Sequence, residues 1–400
     1  MEKANSASIE FSLVWNSEQV NQRDRYFVKK VNFKSDIFPG DMEQKITALN
    51  EGETCSEDFD SGVLVPPYED RKIFKFKETK FEKTQGTQTI IPHIGHFYPQ
   101  GFAWTALNCF QGNRIPFRVV DMSNDIMVAD TNHPLTKYPL TLEAKCLEKL
   151  VSMKGHGREC KDIAEIVTEN GPGMQIPYPG IATDFYSVYP FQRKDESDDT
   201  IFYKSPRLIN HLDNTAIGQV KSIYSRLLSS GSKILDLMSS WVSHLPDTLE
   251  DYVATGLGLN EEELRANQQL SSHVIHDLNQ NPVLPFQDNE FDAVICTVSI
   301  EYLTQPIEVI PEVARVTKKG GVFVTAISDR WFPGKEILPW ANMHHFERLG
   351  FVLDLYMKAG AFDHLHTESI RGLPRPLDDL HIKETVTSDP IFVVWGNAKG

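Results

Sequence analysis

The sequence predicts an α/β protein: a doubly wound, mostly parallel sheet over residues 201–400, a separate β-rich unit over residues 1–150, and a connector over 151–200. Three features predict it. Before residue 150, apolar residues alternate in short runs bounded by turn residues, the period-two pattern of half-buried strands. After residue 201, strand-like runs alternate with amphipathic helical stretches. Two of those runs, DAVICTV (292–298) and VFVTAI (322–327), are continuously apolar, as central parallel strands covered on both faces are. The stretch between, with ENGPGMQIPYPG (169–180) and KDESDDT (194–200), has Gly, Pro and acidic residues but little periodicity, which suits a connector draped over a surface.

In chain order, strands are expected at SIEFSLVW (8–15), RYFVKKVNF (25–33), KIFKFKETKF (72–81), PFRVVDM (116–122), DIMVAD (125–130) and LTLEAKCLEKL (140–150), with one short helix at Asp41–Leu49. Pro39-Gly40, Pro66-Pro67 and Asn132-His133-Pro134 supply the turns. The second half opens with an amphipathic helix over Asn214–Leu228. Strands follow at Lys233–Met238, Tyr252–Leu259, Val274–Asp277, Phe291–Thr297 and Gly321–Ser328, with helices at Glu261–Asn267, Ile307–Val316 and Pro339–Leu349 between them. Late strands are expected at Phe351–Met357 and Pro390–Gly396.

Composition narrows the function. A net charge of −15 without a basic run argues against a phosphate-backbone partner, so no nucleic-acid role is expected. The five cysteines are widely spaced, form no C-x-x-C pair and are odd in number, which suits a reducing compartment and no metal site. No window is apolar enough to span a membrane and MEKANSASIEF has no apolar leader pattern, so a cytoplasmic location is expected.

In a doubly wound fold, ligands lie beyond the carboxyl ends of the strands. Four such ends carry chemistry here: Asp236 to Ser240, Gly256 to Glu261, His276 to Asn279, and Cys296 to Ser299. With their spacing, and with LPFQDNEFDAVICTVSIEYLTQPIEVIPEVARVTKKGG (284–321) in register, residues 201–400 resemble the small-molecule-directed branch of class I S-adenosylmethionine-dependent methyltransferases. The resemblance implies a seven-stranded, Rossmann-like sheet and S-adenosyl-L-methionine as cofactor. It further implies that Asp236, Met238, Ser239 and Ser240 face the cofactor's amino-acid end and that Asp277 and Leu278 face the adenine. Gly256, Leu257, Gly258, Asn260, Thr297 and Ser299 complete the expected cofactor site. As a plain reading of the residues, Asp277 is a helix N-cap.

Two departures from the family pattern stand out. In KILDLMSSWVSHLP (233–246) the loop writes Met-Ser-Ser where glycines are usual, and Gly258 stands where an acidic residue usually grips the ribose. Asn260 or Glu261 can substitute from the next helix, or Asn260 can simply cap that helix, with Glu263 completing a capping box. Trp241 is read as a core residue ahead of a ligand-stacking one. A nicotinamide-type G-x-G-x-x-G reading of Gly256-Leu257-Gly258 fails because Glu261 occupies the third glycine position.

For the acceptor side, FYKSPRLINHLD (202–213) places Tyr203, Arg207 and His211 before the sheet, and His244 follows the cofactor loop. His211 is the candidate base, since an imidazole titrates near neutrality; otherwise Arg207 and Asp213 are structural and His211 caps a helix.

The first half carries its own resemblance. IFPGDMEQKITALNEGE (37–53) and NDIMVADTNHPLTKYPLTLEAKCLEKL (124–150) resemble segments of SlyD-like FK506-binding-protein prolyl isomerases, with Phe76–Val120 in the place of their inserted flap. Phe11, Ile37, Phe38 and Tyr68 are the candidate pocket residues. The expected function is methyl transfer to a small-molecule acceptor, an accessible thiol among the options, with the first half shaping access. A peptide-binding folding helper on an inactive methyltransferase scaffold, and a protein methyltransferase, are the alternatives.

Overall fold

The computed structural model describes residues 5–85, 88–150 and 160–399; the first nine residues of the expected connector lie outside these. The first half builds β1 (Ser6–Ser17), β2 (Val20–Asn32), α1 (Met42–Ala48) and β3 (Thr54–Phe59), then β4 (Ile73–Lys77) and the two-residue pair β5 (Thr84–Gln85) and β6 (Gln88–Thr89). It continues through β7 (Phe97–Pro99), α2 (Trp104–Leu107), β8 (Pro116–Ser123), β9 (Ile126–Asp130) and β10 (Leu140–Leu150). After α3 (Ile163–Thr168) and α4 (Asp199–Phe202), the second half alternates as α5 (Asn214–Leu227), β11 (Lys233–Leu237), β12 (Val253–Gly258), α6 (Glu261–Ala266), β13 (Ser272–Ile275), β14 (Phe291–Thr297), α7 (Pro306–Val316) and β15 (Thr317–Ile327). It ends with α8 (His345–Ala359), β16 (Phe362–Arg371) and β17 (Ile391–Ala398).

The strands of the second half lie in the order β13-β12-β11-β14-β15-β17-β16, with β11 to β15 parallel and β17 antiparallel to both its neighbours. This is the seven-stranded doubly wound sheet. Helices α7 and α8 cover one face with a core that includes Val309, Val313, Phe346, Leu349 and Tyr356; α5 covers the other with Val220, Ile223 and Tyr224.

The sheet does not stop at β16. Strand β2 pairs parallel with β16, and β1, β10 and β3 continue the ladder, so eleven strands form one sheet. The first half therefore keeps its own core, around Ile9, Phe11, Leu13, Met42 and Leu142, but is not the separate body that its sequence suggests. The reason lies in the seam. Asp24 on β2 accepts from Ser369 at 2.5 Å and from both arms of Arg371 on β16 at 2.6 and 3.1 Å. Glu368 takes Arg25 at 3.0 Å and Arg226 at 2.9 Å. Charged side chains on β16 that would make a poor core strand are satisfied by β2. The strands β4-β9-β8-β7 form a second, four-stranded sheet with a small core around Phe81 and Phe117.

Two further expectations change. Phe351–Met357 is not a strand but the second half of α8: apolar residues recur at Phe346, Leu349, Val352, Leu353 and Tyr356, helical spacing, while burial on all sides makes the local run look strand-like. A capping box from His344 and Glu347 starts this helix and left-handed Gly360 ends it. The strand is β16, whose polar residues hid its alternation. The connector is likewise not draped outside. Met174, Gln175, Ile176 and Phe185 are buried, and a Cβ on Gly350 would lie 3.0 Å from the Gln175 backbone, so α8 packs directly on the connector.

Candidate active site

At the carboxyl ends of β11, β12, β13, β14 and β15 opens a cleft of about 770 Å³, within the range of small-molecule sites. It brings together Tyr203, Arg207, His211, His244, Asp236, Met238, Ser239, Ser240, Leu257, Gly258, Asn260, Asp277, Leu278, Thr297 and Ser299. Of the expected residues only Gly256 does not line it. Gly256 lies behind, where a Cβ would meet Leu270 at 2.4 Å.

The loop after β11 explains both departures at once. Met238, not either serine, takes the left-handed conformation, with φ +57°. Ser239 then turns back: its N–H donates to the Leu257 carbonyl at 2.7 Å and its hydroxyl to Asp236 at 2.5 Å. This brings the Ser239 carbonyl so close to β12 that a Cβ on Gly258 would sit 2.4 Å from it. An acidic residue cannot occupy position 258 with this loop in place; the neighbouring strand supplies the room that glycines within such a loop usually provide. Asp236 is buried, and burial raises its carboxyl to about 6 against the lowering effect of the Ser239 and Ser243 hydroxyls. His244 (φ +55°) and Val298 (φ +48°) are left-handed too. For a β-branched residue that is a strained backbone, and such strain gathers at functional sites.

Neither expected substitute for the missing acid is free. Asn260 accepts from the Glu262 and Glu263 N–H groups at 3.0 Å each and donates to the Tyr203 and Lys204 carbonyls at 2.7 and 3.2 Å, so it caps α6 and ties down the entering segment. Glu261 is exposed and pairs with Arg265 at 2.5 Å. No capping box forms, because Glu263 turns away to accept from the Ser240 hydroxyl and the Arg207 N–H, both at 2.7 Å.

Asp277 caps no helix, since none begins between β13 and β14. One carboxylate oxygen accepts from the Asn279 N–H at 2.9 Å, a local turn; the other is buried without a partner among the described residues. An unpaired buried carboxylate oxygen at a cleft wall is costly unless a ligand donor meets it. Leu278 is buried beside it. Asn279 donates to Asp199 and to the Tyr302 carbonyl, both at 2.9 Å, and Asp199 holds Arg193 at 2.8 Å and the fully buried Lys335 at 3.1 Å. The connector thus forms part of the cleft wall.

Tyr203, Arg207 and His211 lie around a residue that the sequence patterning does not single out, Phe332. Arg207 lies 4.9 Å from the Phe332 ring centroid and the His211 ring is 4.9 Å from it, edge to face. Burial, then Arg207, lowers the His211 imidazole, and burial lowers His244 to about 4, so His244 is a weak base. Asp213 is structural: it caps α5 and lies 3.5 Å from Arg375. Trp241 is not a core residue. It lines the cleft and donates to the Ile209 carbonyl at 2.9 Å. Asp329, Arg330 and Phe332, which also line the cleft, lie in SDRWFP (328–333) directly after β15, and the strand-end rule applied to a fifth strand points to them. Burial raises the Asp329 carboxyl, with Asp389 adding to it.

The four candidate pocket residues of the first half do not line one groove, and Phe38 packs on the core that holds Phe11. Phe11 is in the core and Ile37 is exposed. Tyr68 does line a small groove, together with Arg118 and Lys137, but the connector's own Ile176-Pro177-Tyr178-Pro179 lines it too. Arg118 donates to the Ile176 carbonyl at 2.7 Å, and Lys137 lies 4.0 Å over the Tyr68 ring.

Residues 240–325 match the family of methyltransferase domains. Among solved structures, the chain is similar to an S-adenosylmethionine-dependent methyltransferase from Aquifex aeolicus (14% identity, 46% of this chain and 90% of that one, TM-score 0.31). It is also similar to one from Thermotoga maritima (18%, 46% and 89%, TM-score 0.32). A third similar structure is the complex of a methyltransferase with the Haloferax volcanii Trm112 activator (18%, 45% and 88%, TM-score 0.33). No curated protein matches. The chain carries a methyltransferase domain and is an enzyme of that class. A methyltransferase domain implies S-adenosylmethionine as its cofactor.

Proposed function

We propose that the cleft transfers a methyl group from S-adenosylmethionine to a small-molecule acceptor. The carrying observation is the buried Asp277 oxygen, unpartnered among the described residues, at the wall of a cleft of about 770 Å³. In this reading Asp277 and Leu278 hold the adenine, and the Met238 to Ser240 loop faces the amino-acid end. Thr297 and Ser299 flank the centre. The bound cofactor supplies a methyl group on a sulfonium, displaced in line with a neutral thioether leaving.

The chain's own part is alignment, exclusion of water and proton handling; positioning alone is worth up to about 7–11 kcal/mol in such reactions. His211, with its imidazole lowered, and Asp329, with its carboxyl raised, are the candidate proton acceptors. A thiol acceptor needs least help from them. The first half contributes by fixing the connector, whose Asp199 and Arg193 stand behind the cleft wall. A cytoplasmic setting belongs to the same proposal; among the described residues no helix is long and apolar enough to cross a membrane.

Calorimetric titration with S-adenosylmethionine tests the reading. Micromolar binding is expected, and no heat at high cofactor concentration would end it. Labelled cofactor added to lysate should mark the low-mass fraction; labelled protein bands would point instead to protein methylation.

A further inference from the structure

The chain is strongly acidic, and the cleft's carboxylates outnumber its arginines, yet they are not shared evenly. Arg375 contacts three of them, Asp389 directly, Asp379 at 3.0 Å and Asp213 at 3.5 Å. Arg330, in the same cleft, has no ion pair among the described residues. Its guanidinium meets the His381 ring nitrogen at 3.1 Å. A guanidinium presents a planar fork that matches carboxylate or phosphate oxygens, and one kept half-buried without an anion has that capacity open.

The placement separates Arg330 from the cofactor's own carboxylate. Arg207, the other cleft arginine without an ion pair among the described residues, donates its backbone N–H to Glu263, which holds Ser240 of the cofactor loop, and its guanidinium to the Phe202 carbonyl at 3.2 Å. Arg330 instead follows β15, beside the aromatic shelf of Phe332 and near His211, on whose ring the charges of Arg207 and Arg330 both bear. Ile209 and Leu380 line the same cleft although they are 61% and 92% exposed, so its rim is apolar.

We propose that Arg330 is the specificity residue for an anionic acceptor: the methyl acceptor carries a carboxylate or phosphate that pairs with Arg330, next to an apolar portion that lies along Phe332 and the rim. This rests on the methyl-transfer reading of the cleft. A single carboxylate and a phosphoryl group share this chemistry and are separated by the probes below.

The test uses the full chain saturated with S-adenosylhomocysteine, titrated with inorganic phosphate and, separately, with benzoate. One of the two should bind in the millimolar range to the parent and at least fivefold more weakly to Arg330→Gln, while S-adenosylhomocysteine binds both proteins alike. Phosphate binding selects a phosphorylated acceptor, benzoate binding a carboxylated one. Arg330→Lys, which keeps the charge without the fork, should fall between and guards against a misfolded variant, as should an unchanged melting temperature. Equal anion binding by parent and Arg330→Gln, or none by either, overturns the proposal and leaves the methyltransferase reading intact. Failure of S-adenosylhomocysteine to bind the parent overturns that reading instead. In lysate, label from the cofactor should be retained on an anion exchanger; label only in the neutral and cationic fractions overturns the proposal.

Discussion

The seam between β16 and β2 and the cleft beyond β11 to β15 are both rich in buried charge, but they treat it in opposite ways. At the seam every carboxylate is matched: Asp24 with Ser369 and Arg371, Glu368 with Arg25 and Arg226, Glu10 with Arg25 at 2.8 Å. At the cleft, among the described residues, Asp277 keeps an oxygen unpaired, Arg330 makes no ion pair, and Met238, His244 and Val298 hold left-handed backbones. Satisfied charge holds two halves in one sheet; unsatisfied charge and strain mark where a ligand is awaited.

The largest effect should come from removing the seam altogether. A chain beginning after residue 160 leaves β16 as an edge strand with Glu368, Ser369 and Arg371 stripped of their partners on β2, so it should aggregate or stay unfolded. Sequence patterning predicts the opposite, an independently folding second half. A monomeric truncated protein with a cooperative thermal transition would show that the seam joins two self-sufficient domains.

Asp24→Ala takes a smaller bite from the same place. Its side chain is fully buried, and removing it leaves Arg371 without its buried anion, so a loss of about 3–5 kcal/mol is expected by denaturant titration. Cofactor affinity of the folded fraction should not change. A loss below about 1 kcal/mol would mean that the seam is held by strand pairing alone.

Asp277→Ala sharpens the contrast from the other side. It removes an acceptor that the protein itself leaves half unused, so stability should hold while cofactor binding weakens by about 1.5–3 kcal/mol, ten- to a hundredfold. If the variant is destabilised and binds as before, Asp277 is only the turn former that its bond to Asn279 shows.

Much of this was legible in the sequence because it is local. The strands of the doubly wound sheet show as apolar runs, and the strand-end residues from Asp236 to Ser299 followed from their positions in those runs. What could not be read depends on partners distant in sequence. Strand β16 carries Thr367, Glu368 and Ser369, which make sense only beside β2, more than three hundred residues earlier. Gly258 looked like a lost ribose contact because the Ser239 carbonyl that forbids a side chain there comes from another strand's loop. In the sequence Arg330 reads as any arginine next to an aspartate, because nothing there shows that Arg375 takes Asp213, Asp379 and Asp389.

The smallest predicted effect tests why the loop after β11 can do without glycines. Met238 sits at φ +57°, where an ordinary side chain raises the backbone energy by about 1–2 kcal/mol relative to glycine, and it is partly buried against the main core. Met238→Gly relieves that strain but gives up the packing and adds about 0.5–1 kcal/mol of unfolded-chain entropy. The net change should stay within about 1 kcal/mol, well under the 2–5 kcal/mol usual for truncating a buried methionine. Met238→Ala loses nearly the same packing and keeps the strain. The glycine variant should therefore be the more stable of the two, by up to about 1 kcal/mol in urea unfolding, the reverse of their order at a helical or extended site. If alanine is instead the more stable, the loop relaxes out of the left-handed conformation without difficulty. The close approach of Ser239 to Gly258 would then have to be set by β12, and Gly258→Ala, which places a methyl against the Ser239 carbonyl, should disturb cofactor binding more than any change at Met238.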